Sequence, residues 1–163
     1  MDTVKRNVLI IIAIIIILSV VGLCIHSLNT TYEFDEFSIE VPLGTDFVNM
    51  TSFGDETINE MYRANGEDLT ITSFDKKYIE DTYFKQTGKH IDYSKGLYEN
   101  FTATGEITQI NDNLTRSVIT SDIDGYSDTD VACLYIDDGH VIIVEGGDID
   151  FVTQVGDSIK ILQ

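Results

Sequence analysis

The sequence predicts an α+β domain, an antiparallel β-sheet flanked by helices, preceded by one N-terminal transmembrane helix. Three observations predict it. A single unbroken apolar run lies near the start of the chain. The remainder mixes period-two strand patterns with helical stretches. The order is strand, hairpin, helices, several hairpin-linked strands, then a helix, as in an α+β domain with antiparallel pairing. The implied organisation is a cytoplasmic N-terminus (1–7), a transmembrane anchor (8–28) and an extracytoplasmic domain (29–163).

The anchor comes first. From Val8 to Ile25 there is no charged residue, and only Ser19, Gly22 and Cys24 are not strongly hydrophobic. Eighteen residues make roughly 27 Å of helix, close to the hydrocarbon thickness of a bilayer, and extending to Leu28 reaches roughly 31 Å. A cleaved signal is usually shorter and ends in a small-x-small site; "VVGLCIHSLNT" lacks a clean one. A lipoprotein signal would lipidate Cys24, but Leu23 stands where a small residue belongs. A retained anchor is therefore the expected reading, with cleavage and lipidation as alternatives. Lys5 and Arg6 precede the run, and no Lys or Arg follows until Arg63. The positive-inside rule then puts the N-terminus in the cytoplasm and the rest outside. Asn-x-Thr acceptors at Asn29, Asn49, Asn100 and Asn113 agree with outward exposure, with glycosylation and coincidence both open.

The outer part is one domain long, enough to bury a core without metal or disulfide. Of the protein's 28 acids, 27 follow the run, against 8 of its 10 Lys and Arg. Such a surface repels nucleic acid and anionic lipid, and it favours cations, basic partners and solubility. Cys24 sits in the apolar run and Cys133 in a strand-like stretch, so they build no disulfide framework.

The elements follow in order. "FSIEVP" alternates, with Phe37, Ile39 and Val41 on one side, and Pro42 ends the ladder. About ten residues separate the span from this strand, a short tether. Asn65-Gly66 suits a type I′ turn between two strands. In the second of these, Leu69, Ile71 and Ser73 share one face, opposite Thr70, Thr72 and Phe74. "DKKYIEDTYFKQTG" reads as a helix capped by Asp75 and ended by Gly88, with Tyr78, Ile79, Thr82 and Tyr83 as its apolar side. "DYSKGLYENF" adds a short helix with Leu97, Tyr98 and Phe101 inward; its Gly96 is a weak helix former. "GEITQINDNLTRSVIT" is a hairpin turning at Asn111, Asp112 and Asn113. "VACLYIDDGHVIIVEG" is a second one turning at Asp138-Gly139 and pairing Ile136 with Val141, Tyr135 with Ile142 and Leu134 with Ile143. Its strands are apolar on both faces, so they should be central and covered on both sides. "GDIDFVTQVGDSIKIL" is a final amphipathic helix with Ile149, Val152, Val155 and Ile159 on one stripe, and Asp148 and Asp150 at its positive end.

"FSIEVP", the "LTITSF" strand leading into a helix, and the closing "VIIVEGG…DFVTQVGDSIKI" resemble PsbP-like (DcrB-like) domains. The likeness is to the small N-terminally anchored extracytoplasmic proteins of methanogenic archaea and spans about residues 34 to 161. Val41-Pro42 keeps the family's strand-then-proline opening, and Ser158-Ile159 its ending. Phe47 stands where the family has Trp. The resemblance implies an antiparallel sheet between helices and no shared catalytic residues.

Motifs that could carry chemistry are few. "SDIDGYSDTD" clusters Asp122, Asp124, Asp128 and Asp130. Counted from Asp122, however, the glycine falls at position 4 and Cys133 at position 12, so an EF-hand does not fit. An acidic turn between two strands is the plainer reading, with cation binding as the alternative. His26, His90 and His140 have no second ligand at zinc spacing. There is no G-x-S-x-G elbow and no phosphate-binding glycine loop. Lys76, Lys77, Lys85, Lys89 and Lys95 read as an exposed helix face, or else as a docking patch for an anionic partner.

No catalytic, cofactor-binding or metal-binding residue is assigned, and no cofactor is expected. The expected role is non-catalytic binding of a neighbouring envelope protein or small ligand by a membrane-anchored domain. The alternative is an envelope hydrolase, which would show a cleft holding His140 or His90 beside a Ser or Asp. A pilin-like subunit would need a processing site and a glutamate at the head of its helix; "MDTVKRNVLI" has neither.

Overall fold

The computed structural model describes residues 28–123 and 126–162. The predicted span up to residue 27, with Cys24 and His26 in it, lies outside the described residues, as does Asp124. Among the described residues no helix is long and apolar enough to cross a membrane. The fold is α+β, and every strand pairing is antiparallel.

The described residues form ten strands: β1 (Asn29–Glu33), β2 (Phe37–Pro42), β3 (Phe47–Asn49), β4 (Ile58–Ala64), β5 (Leu69–Phe74), β6 (Glu106–Gln109), β7 (Leu114–Ile123), β8 (Tyr126–Ile136), β9 (Val141–Gly146) and β10 (Lys160–Ile161). Among the described residues three α-helices accompany them: α1 (Lys76–Thr87), α2 (Tyr93–Phe101) and α3 (Ile149–Asp157). The main sheet has seven strands in the order β3-β4-β5-β9-β8-β7-β6, and a smaller one has the order β1-β2-β10.

The core lies between the main sheet and a layer made of α3 and the small sheet. Val152 and Val155 of α3 and Phe37, Ile39 and Val41 of β2 are fully buried there, against Leu69, Ile71, Cys133 and Val144 of the main sheet. An aromatic cluster closes one side: Phe34 lies 4.3 Å from Tyr62 and 4.7 Å from Phe37 between ring centroids. On the other, outer face of the main sheet α2 packs against β8, and α1 packs against α2.

The β8–β9 hairpin has the register expected from its turn, including Leu134 against Ile143 and Ile136 against Val141. Asp75 caps α1 by accepting the Tyr78 N–H at 2.8 Å, and Gly88 ends it at φ +70°. Asp148 caps α3 through the Phe151 N–H.

Five expectations are corrected. Residues 29–33 are not a tether but strand β1, whose Thr and Tyr residues form a full ladder with β2. The β4–β5 loop uses four residues, 65–68, because Arg63 already faces Thr70; Asn65-Gly66 is its first half, not a two-residue turn. α1 buries none of its residues: Tyr78 and Tyr83 stay exposed, as does Tyr98 of α2, while Ser94 turns inward instead. Ile149 is also exposed. Finally, α3 stops at Asp157, and the chain re-enters the small sheet as β10, with Ser158 Oγ accepting the Glu40 N–H at 2.8 Å.

Candidate functional site

The outer face of the main sheet is incompletely covered. Alternation along β5, β7, β8 and β9 turns Thr70, Ser117, Ala132, Ile143 and Glu145 towards the α1–α2 side. α2 packs on β8, and the loop after it is held where the Ser117 hydroxyl donates to the Thr104 carbonyl at 3.0 Å. Beyond the end of α2 this leaves a groove of about 480 Å³. Phe101, Ile119 and Ile143 supply its apolar walls, and Asp68, Asp130 and Glu145 its acidic groups.

Glu145 is exposed, yet the groove walls partly desolvate its carboxyl. That loss, with the charge of Asp130 second, pushes its pKa above the usual carboxylate range. Among the described residues, none of the three carboxylates pairs with a Lys, Arg or His. The arrangement can therefore accept a cation flanked by apolar surface.

A second groove, about 560 Å³, lies at the other end of the same face. Ser94, Tyr98, Gln109, Thr115, Asp137 and Lys76 are among its lining residues. Its polar groups are largely committed. Thr115 donates to Gln109, and Lys76 Nζ donates to the Asp138 carbonyl at 3.3 Å. Ser94 Oγ is buried and makes no hydrogen bond.

The residues singled out from the sequence are dispersed. In the regular β7–β8 register, Asp122 lies on the α3 side of the sheet, whereas Asp128 and Asp130 lie on the outer side. The acidic stretch is a strand hairpin split by its own pleat. Among the described residues, no group of three His, Cys, Asp or Glu could hold a metal ion. His90 stacks on Phe84 at 4.3 Å. His140 Nδ1 lies 2.9 Å from Asp137 Oδ1 inside the β8–β9 turn. Lys77 pairs with Asp81 at 2.5 Å and Lys95 with Glu99 at 4.0 Å, both along their own helices; Lys85 and Lys89 are exposed. Asn29, Asn49, Asn100 and Asn113 are all exposed.

Cys133 is fully buried beneath α3, and burial pushes its thiol up to about 11, so it is chemically quiet. Sequence reasoning missed Asp68 and Glu145, and it placed Phe101 only on the inward side of its helix. The Glu145 signal was present, since a lone acid ends the apolar strand "VIIVEG", but only the placement of α2 turns it into a groove. No protein-family model matches the chain, and no curated protein matches it.

Proposed function

We propose that the chain is a single-pass membrane protein with residues 1–7 in the cytoplasm, 8–28 in the bilayer and 29–163 outside. We infer that its outer domain works by binding a basic segment of a neighbouring envelope protein. The observation that carries the binding reading is the groove beyond the end of α2, where three carboxylates with no basic partner among the described residues stand beside apolar walls. A Lys or Arg head among the acids, with its stem on Phe101 and Ile119, fits that chemistry. The excess of acids over bases strengthens attraction at a distance. The resemblance to PsbP-like domains supports the same reading, because it carries a fold and no catalytic residues.

The test is a photo-crosslinking amino acid at Ile119, which is 44 % exposed, in the full-length protein in its native membrane. The proposal expects covalent capture of a neighbour, strongly reduced when Asp68→Asn, Asp130→Asn and Glu145→Gln are combined. Absence of any adduct contradicts it.

One observation favours the hydrolase alternative: His140 and Asp137 stand as a general base and its orienting acid would. Asp137 and Ser94 also line the same groove. Covalent labelling by a serine-directed fluorophosphonate, lost in Ser94→Ala, would establish that reading in place of binding.

A further inference from the structure

The end of the small sheet nearest residue 28 carries two bare leucines. β1 begins at Asn29, the first residue after the predicted span, and Asn29 already faces Pro42 in the ladder. One residue further out, the Leu43 N–H donates to the Leu28 carbonyl at 2.8 Å. The antiparallel pairing thus continues to the last residue of the span.

Beyond Pro42 the chain turns tightly. The Thr45 N–H donates to the Pro42 carbonyl at 3.1 Å, and Gly44 takes φ +97° at the third position, which a side chain would resist. Leu43, at the second position, is thrust outward and is 57 % exposed, beside Leu28 at 53 %. In a domain this rich in acids, two adjacent exposed leucines at the point of chain entry are out of place in water.

We propose that this turn is a lipid-docking surface: Leu43, with Leu28, seats in the headgroup–acyl boundary of the membrane that holds the anchor. The inference rests on the anchor reading. It follows from length: no linker residue separates the span from β1, so the domain cannot lift away from the bilayer without breaking its own ladder. An amphipathic element this close to the boundary gains by burying its apolar side chains there.

The charge around the turn selects the lipid. Asp46 follows it, and the Asp46 carbonyl accepts the Asn65 N–H at 2.8 Å, which brings the acidic residues Glu67 and Asp68 of the same loop to this end. An anionic headgroup layer would be repelled, so the partner is zwitterionic. The opposite end of the small sheet is marked by Leu162, whose N–H donates to the Glu36 carbonyl at 2.9 Å. Glu36 and Leu43 are about seven strand residues apart along β2, or roughly 23 Å.

The protein contains no Trp, so one introduced Trp reports its own surroundings. Full-length Leu43→Trp and Leu162→Trp proteins are reconstituted in phosphatidylcholine vesicles, with and without acyl-brominated lipid, and floated on a density gradient. The expected result is that both float, that Trp at 43 is blue-shifted and loses roughly half its emission to bromine, and that Trp at 162 is quenched only by aqueous iodide. Flotation with no bromine quenching at position 43 overturns the docking and leaves the anchor standing. A blue shift at 43 that grows with protein concentration and ignores bromine also overturns it, because a second copy then covers the turn. Failure to float overturns the anchor reading, and the docking with it.

Discussion

Glu60 Oε1 accepts the Asp35 N–H at 3.0 Å, so one buried carboxylate of β4 holds the β1–β2 turn of the small sheet against the main sheet. Its other oxygen, Oε2, is buried and has no hydrogen-bond partner among the described residues, and Glu60 is 5 % exposed.

Loss of solvation raises the Glu60 pKa. The Asp35 N–H opposes that, and the charges of Asp35 and Glu36 add to it. A carboxyl raised by folding stabilises the protein fully below its unfolded pKa and loses that contribution as pH rises through the folded value. Glu60→Gln keeps an acceptor for Asp35 and removes the buried charge. It should stabilise the protein by about 1 kcal/mol at pH 7, read as a higher urea midpoint, and change little at pH 4. Glu60→Ala, which abandons the Asp35 N–H, should lower the midpoint at both pH values.

Two helical glycines should respond in opposite directions. A Cβ on Gly156 would stand 2.9 Å from the Cys133 Cβ and 3.3 Å from its sulfur, whereas a Cβ on Gly96 meets nothing within 4 Å. Gly156→Ala should cost about 1–3 kcal/mol by overpacking. Gly96→Ala should stabilise by up to about 1 kcal/mol through helix propensity. Denaturant titration of the detergent-solubilised chain reads both. The same experiment with a maleimide should show Cys133 labelled only as the domain unfolds.

Asp137 organises the β8–β9 turn. Partial burial opposes its ionisation, but the Gly139 N–H, the His140 ring and the His140 N–H together outweigh that and hold the carboxyl below its ordinary range. A depressed carboxyl contributes stability above its unfolded pKa and loses it as pH falls through the folded value. Asp137→Asn should therefore cost about 1–2 kcal/mol at pH 7, and the loss should shrink towards pH 3. A thermal scan at several pH values measures the trend.

Local chemistry was legible in the sequence at the β8–β9 turn and at the ends of α1, though not at Asn65-Gly66. The β8–β9 hairpin turns at Asp138-Gly139, held by the Asp137 carboxylate, and Asp75 and Gly88 bound α1, because turns and caps depend on a few neighbouring residues. What escaped the sequence depended on distant partners. "NTTYE" offers one aromatic among polar residues and becomes β1 only because β2 lies beside it. β10 is two residues long and exists only because Phe37 and Ser38 accept it. Tyr78, Ile79, Thr82 and Tyr83 have the spacing of a buried face, yet α1 buries none of its residues and packs against α2. The groove escaped for the same reason, since Asp68, Asp130 and Glu145 come from three separate strands or loops and converge only in the folded sheet.

The most direct test of the account is protease shaving of intact cells that carry the full-length protein with a C-terminal tag. The account predicts that the tag is lost from intact cells while a short N-terminal fragment stays with the membrane. A tag that survives until the cells are lysed would contradict it, as would a mature polypeptide released into the medium with its N-terminus near Thr30.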